Sequence, residues 1–187
     1  MNNLFGVPGD IIPLDLFKFS TENAKSVSQQ LFEQTVQYIV GDTGLSPTVF
    51  IFTNVACLII DVTDFISSSK RRDDLSFILR KIAKEQDVQG IAMASAAVLR
   101  KASATEMQTG EIDGNTPVAE SENKEEALIV QCEWYTGDQY MITGVFTKEK
   151  DAHGKESLDI QKPVETNNYE GRFANLFPPT RSGGYLN

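Results

Sequence analysis

The sequence predicts an α+β fold: a two-layer sandwich in which one mainly antiparallel sheet of about five strands carries two helices on one face. Three observations predict it. The segments run helix, two strands, helix, one strand, a long polar stretch, then two or three strands, without the regular alternation of a doubly wound parallel sheet. The stretch "ALIVQCEWYTGDQYMITGVFTKEK" alternates apolar and polar residues on both sides of Thr136-Gly137-Asp138, the pattern of a β-hairpin. The chain has 187 residues and is 41 % apolar, enough for one core, and it shows no repeat of fixed period.

The first nineteen residues form an apolar arm. Leu4, Phe5, Val7, Ile11, Ile12, Leu14, Leu16, Phe17 and Phe19 follow neither helical nor strand spacing. Left in water they would make a large apolar patch, so the arm either wraps its own domain or docks on a neighbour. Burial is worth roughly 1.5–3 kcal/mol for each such side chain. The arm lacks a cationic start, and Pro8, Gly9, Asp10, Pro13 and Asp15 interrupt its apolar residues, so it does not read as a signal peptide.

A single domain is expected over 20–179. Ala24, Val27, Leu31, Phe32, Val36 and Ile39 recur at helical spacing, with Ser20 or Thr21 as the cap and Gly41 as the stop. Thr48–Phe52 and Ala56–Asp61 read as two strands around a Thr53-Asn54 turn, or as one long bent strand. "ACLII" does not alternate, which marks a central strand or one covered on both faces. In "RRDDLSFILRKIAKEQD", Leu75, Ile78, Leu79, Ile82 and Ala83 form the stripe of a second helix, with Asp73 and Asp74 in its first turn. Val88–Leu99 is a strand of small residues that lets a helix approach closely. Residues 101–124 are an exposed loop, too long for an ordinary connection, serving as a functional segment or a plain insertion. Ser157–Val164 adds an edge strand that Pro163 ends. Phe173, Leu176 and Phe177 share one helical face before Pro178-Pro179. A short helical clasp is expected there, laying Phe173 and Phe177 on the sheet or the arm, with Arg172 reaching an acid or carbonyls. A flexible tail then covers 180–187.

Net charge is −9, which disfavours nucleic acid and anionic membrane surfaces as partners. The longest apolar run, "VACLII", is far short of the ~20 residues of a spanning helix. The basic cluster Lys70-Arg71-Arg72 is followed by Asp73-Asp74 and reads as a solvated helix entry, with a local phosphate contact as its alternative. Cys57 and Cys132 read as reduced, buried small hydrophobes; a disulfide would need their strands to be neighbours. The lone histidine, His153, sits in a polar turn. One histidine and two separated cysteines disfavour both a zinc site and a Ser-His or Cys-His nucleophile. No glycine loop of the phosphate-binding kinds occurs, so no cofactor is expected.

Carboxylates are the remaining chemistry. Asp61 and Asp64 follow an apolar strand, where acids can bind Mg²⁺ or act as general bases. Their structural alternative is to end the strand and cap a turn or short helix. Glu133 is read as facing solvent opposite Trp134.

The segments "DDLSFILRKIAKEQD", "VQGIAMASAAVL", "KEEALIVQCEWYTGDQYMITGVF" and "EGRFANLFP" together resemble a set of uncharacterised small bacterial and phage proteins with a C-terminal G-R-F-x-x-L-x-P segment. The resemblance covers roughly 46–178. In such sequences the middle strand carries an acid and a tryptophan, where this chain has Ala96, Ala97 and Val98. The resemblance implies no activity.

Two functional expectations follow. The first is a non-enzymatic interaction protein that self-associates through its arm (Leu4, Phe5, Ile11, Ile12, Leu14, Phe17) or binds another protein, with Arg172, Phe173 and Phe177 in the contact set. Its setting is the bacterial cytoplasm, with the virion as the alternative. The second is a small metal-dependent hydrolase or ligand-binding enzyme using Asp61, Asp64 and Glu133.

Overall fold

The computed structural model describes residues 3–4, 7–16, 20–39, 45–85, 87–100, 108–109, 124–150 and 156–178. The tail at 180–187, Phe5, Phe17, His153 and most of 101–124 lie outside them.

The described strands are β1 (Asn3–Leu4), β2 (Val7–Pro8), β3 (Asp10–Pro13), β4 (Thr48–Thr53), β5 (Ala56–Asp61), β6 (Val88–Arg100), β7 (Lys124–Trp134), β8 (Gln139–Lys150), β9 (Glu156–Ile160) and β10 (Val164–Asn167). The helices are α1 (Ala24–Ile39), α2 (Thr63–Ile66) and α3 (Ser69–Ile82). β1 and β2 pair only with each other. The remaining eight strands make one sheet in the order β10-β8-β7-β6-β4-β5-β3, with β9 also on β8, and every pairing is antiparallel.

The α+β class and the antiparallel sheet hold, while the layers differ from expectation. Adjacent residues of a strand point to opposite faces, and here both faces are covered. Phe52, Cys57, Ala92, Ala94, Leu128, Val130, Cys132 and Trp134 pack with Ala24, Val27, Leu31 and Phe32 of α1. Val49, Ile51, Leu58, Ile60, Ile91 and Met93 pack with Leu75, Leu79 and Ile82 of α3. The helices therefore lie on opposite faces of an eight-stranded sheet, rather than together on one face of about five strands. The unbroken apolar runs of β4, β5 and β6 are the reason: each strand has an apolar set on both faces, and each set needs its own cover.

Both helices start elsewhere than the sequence suggests. The Asn23 side chain accepts from Ser26 N–H at 2.9 Å and caps α1, in place of Ser20 or Thr21. α3 begins at Ser69 with Ser68 as its cap, so Asp73 and Asp74 fall past the first turn. Two glycines permit close approach, one of them to a ring of the neighbouring strand and the other, on β8 rather than β6, to a helix. A side-chain carbon on Gly90 would lie 2.1 Å from the Trp134 ring, and one on Gly144 would lie 2.5 Å from Phe32 of α1.

Part of the N-terminal arm is a strand of this sheet. β3 pairs with β5 from Asp10↔Ile59 to Pro13↔Ala56, and Leu14 N–H donates to Val55 O at 2.9 Å. Ile11 packs on the α3-side core and Leu14 on the α1-side core. At the far edge, β9 stops at Ile160, short of Pro163, and β10 starts just after it. β9 and β10 both lie along β8, and the register moves from Phe146↔Ile160 to Thr143↔Val164. Three steps on β8 match four on the other strand, so Pro163 sits in a bulge, where its missing N–H leaves no gap in the ladder.

Candidate interaction groove

The last described segment, residues 168–178, crosses from β10 to α3 and makes a strap. It is a turn rather than the expected helical clasp: Ala174 N–H reaches Gly171 O at 3.2 Å, and Asn168 and Asn175 take φ of 55° and 54°. Asparagine tolerates that left-handed conformation better than most residues. Leu176 and Phe177 are buried in the α3-side core, while Phe173 is half-buried against it.

Three groups tie the strap down. Glu133 is the first. It is only 2 % exposed, and it faces the α3 side rather than solvent, because that face of β7 is roofed by the strap. A buried carboxylate needs donors. Leu176 N–H donates to its Oε2 at 2.9 Å, Phe177 N–H to its Oε1 at 3.0 Å, and Gln139 Nε2 to Oε2 at 3.2 Å. Gln139 Nε2 also lies 3.2 Å from Asn175 Oδ1. Arg80 of α3 is the second. Its Nη2 donates to the carbonyls of Arg172 and Ala174, each at 3.2 Å, and its Nη1 donates to Ser76 Oγ. Ser76 Oγ in turn donates to Arg172 O at 2.7 Å. Arg172 is the third and reaches back, with Nε 2.6 Å from Asp73 Oδ1 and Nη2 donating to Ser69 Oγ at 3.0 Å.

Between the strap, α3 and the β7–β8 turn lies an open groove of about 740 Å³. Phe77, Lys81 and Lys84 form its helix wall, Tyr135–Gly137 its turn wall, and Tyr169, Asn175 and Phe177 its strap wall. Phe77 is 60 % exposed and Tyr135 38 %. Lys81 Nζ stands 4.4 Å from the centre of the Phe77 ring, a cation–π contact that holds the lysine at the rim. Burial raises the Tyr169 phenol above its ordinary pKa, and the nearby Cys132 and Glu133 add to the shift, so it stays a neutral wall of the groove.

A second polar cluster locks β10 to α1. Tyr140 Oη donates to Glu165, Gln29 Nε2 donates to the same carboxylate at 3.3 Å, and Lys25 Nζ lies 5.5 Å over the Tyr140 ring. Burial and the Glu165 partner push the Tyr140 phenol up to about 12. The hydrogen bonds from Tyr140 and then Gln29 hold Glu165 below the usual carboxylate range.

The candidate acids do not converge. Asp61 Oδ1 accepts from Thr63 Oγ1 at 2.6 Å and Thr63 N–H at 2.8 Å, which closes the turn into α2 and lowers its pKa. Asp64 lies exposed in the first turn of α2, and its carbonyl accepts from Ser67 Oγ and Arg71 Nη1. Glu133 is three strands away from Asp61, about 14 Å at strand spacing. Among the described residues no group of three or more His, Cys, Asp or Glu could hold a metal ion. Cys57 and Cys132 are buried and free, and burial raises both thiols well above their usual pKa. Of the expected contact residues, Ile11, Ile12 and Leu14 lie partly buried along β3 and just after it, and Leu4 lies in β1. Arg172, Phe173 and Phe177 come together in the strap. The sequence reading missed Phe77 and Tyr135; a phenylalanine off the apolar stripe of α3 was the available signal.

No family model, no curated protein and no solved structure matches this chain. Among the described residues no helix is long and apolar enough to cross a membrane.

Proposed function

We propose that the chain is a non-enzymatic interaction protein that takes an acidic segment of a partner, anchored by an apolar side chain, into the groove between α3, the β7–β8 turn and the strap. One observation carries the reading: two large aromatic side chains, Phe77 and Tyr135, stand exposed in one concavity whose lining includes Lys81 and Lys84, on a chain whose net charge is −9. Aromatic anchors ringed by polar groups are the usual energetic centre of a protein contact. By formal count the groove lining carries three cations, Arg80, Lys81 and Lys84, against two acids, Glu133 and Glu170. That local excess of cations favours an acidic partner.

Self-association belongs to the same reading, though the arm contributes less than its composition suggests, since β3 is paired to its own sheet. The bacterial cytoplasm, or a virion, is the setting that the resemblance favours. The test is capture with wild type and with the double variant Phe77→Ser, Lys81→Glu, followed by titration of the captured protein in purified form. A partner that binds wild type and loses at least about tenfold affinity for the variant, or about 1.4 kcal/mol, supports the reading. Equal binding by both refutes it.

A further inference from the structure

A second open concavity, of about 730 Å³, adjoins the groove, and Gly137, Gln139 and Asn168 line both. Those three residues make the ridge between the two. Gly137 adds no side chain to it. It takes φ of 90°, and among the described residues a side-chain carbon placed on it would meet no neighbour within 4 Å. The ridge is therefore open at the β7–β8 turn, and a chain lying in the groove can pass over it.

The two sides of the ridge differ in chemistry. The groove side has exposed aromatic rings and an excess of cations. The far side is bounded by Asn23 and Lys25 at the start of α1, by Asp138 and Tyr140, and by Glu165 and Asn167. Its ring is closed off, since Tyr140 is buried and Lys25 Nζ lies 5.5 Å over it. Its charges balance. Asp138 and Glu165 answer Lys25 and the positive end of the α1 dipole. Hydrogen bonds from Tyr140 and Gln29 keep Glu165 ionised in that balance. What distinguishes the far side is its amides: Asn23 and Asn167 within it, Gln139 and Asn168 on the ridge. A side-chain amide carries donors and an acceptor together, as each peptide unit does.

We propose that the partner segment is an extended peptide that crosses the ridge at Gly137. Its acidic stretch, with the apolar anchor, lies in the groove, and an uncharged polar stretch continues into the pocket at the start of α1. An extended chain suits the amides because its N–H and C=O groups are free to pair with them. A helix satisfies its own backbone and leaves them without a role. The charge pattern of the two concavities sets the order of the segment: the cation excess takes the acidic stretch, and the balanced pocket repays neither sign. The inference rests on the groove reading of the proposed function, and it adds the conformation of the partner and the course it follows.

The test selects a displayed library of random peptides on the full chain, each peptide roughly twelve residues long and so up to about 40 Å when extended. An enriched peptide is synthesised and titrated by fluorescence anisotropy against wild type, Phe77→Ser and Asn167→Trp. Phe77 lines only the groove, and Asn167 lines only the far pocket. Asn167 is exposed, so the larger ring should fill the pocket with an unchanged circular dichroism spectrum. If Asn167→Trp does not fold, Lys25→Trp fills the same pocket from α1, where Lys25 is also exposed. Each variant should weaken binding at least about tenfold. The acidic half of the peptide, made alone, should lose affinity with Phe77→Ser and bind Asn167→Trp as it binds wild type. A full peptide that needs Phe77 but binds the filled pocket as tightly as wild type overturns the crossing and leaves the groove reading standing, as does a peptide that turns helical on binding. A library that yields no binder, or only binders indifferent to Phe77→Ser, removes the groove reading and this inference with it.

Discussion

Glu133 decides how the C-terminal segment behaves. Its carboxylate sits in an apolar strand between Cys132 and Trp134 and satisfies two strap N–H groups that would otherwise be buried without partners. Removing it strands those donors, at about 1–3 kcal/mol each. Glu133→Ala should therefore lower the urea midpoint and speed exchange at Leu176 and Phe177 before it affects exchange in α1; unchanged exchange at those two amides would show that the strap is held by Arg80 and Arg172 alone. The Tyr140–Glu165 pair sets a second residue-scale expectation. Glu165 has a lowered folded pKa, so its contribution is complete above the unfolded carboxylate value and is lost as pH falls towards the folded one. Tyr140 is raised from 10.0 to about 12. The unfolded chain releases that proton first, so stability falls as pH rises through that interval. Tyr140→Phe should flatten both arms of a plot of urea midpoint against pH, and an alkaline arm of unchanged steepness would contradict this account of Tyr140.

At the scale of elements, the hairpin β7–β8, the strand β6 and the apolar stripes of α1 and α3 were legible because each is a periodic pattern that local chemistry can fix. The layer arrangement was legible only in part. "ACLII" lacks alternation, which marks either a central strand or one covered on both faces, while alternation in β7 suggests one wet face. That step placed Glu133 in solvent. A polar residue in a strand faces water only if nothing roofs it, and the roof here comes from residues more than forty positions later. The strap's turn escaped the i, i+3, i+4 pattern because, beyond the one bond from Ala174 N–H to Gly171 O, its backbone groups bond Glu133 and Arg80 instead of continuing a helix. The arm gives the prediction for this scale. β3 completes one edge of the sheet and places Ile11 and Leu14 on both cores. A chain starting at Ser20 should stay folded but unfold at lower urea; because Ile11, Ile12 and Leu14 are only partly buried, each should contribute less than the roughly 1.5–3 kcal/mol of a fully buried side chain. Its oligomeric state in sedimentation should match that of the full chain under the same conditions. Loss of self-association on this truncation would assign that contact to the arm.

For the whole molecule, an eight-stranded sheet covered by α1 on one face and by α3 with the strap on the other leaves few large apolar side chains exposed among the described residues. Phe77 and Tyr135 are two of those that remain exposed, and they share one groove. Two strap contacts shape that groove, Glu133 beneath and Arg80 beside, so the carboxylates that could have suggested catalysis serve as anchors and turn caps. The claim that this groove is the working surface is tested most directly by site-specific photo-cross-linking. A photoreactive phenylalanine analogue is placed at Phe77, at Tyr135 or, as a control, at the exposed Val55 of the β4–β5 turn, and the adducts are identified by mass spectrometry. The account predicts that positions 77 and 135 capture the same acidic partner and that position 55 does not; the absence of any common adduct at 77 and 135, or an equal yield at 55, would contradict it.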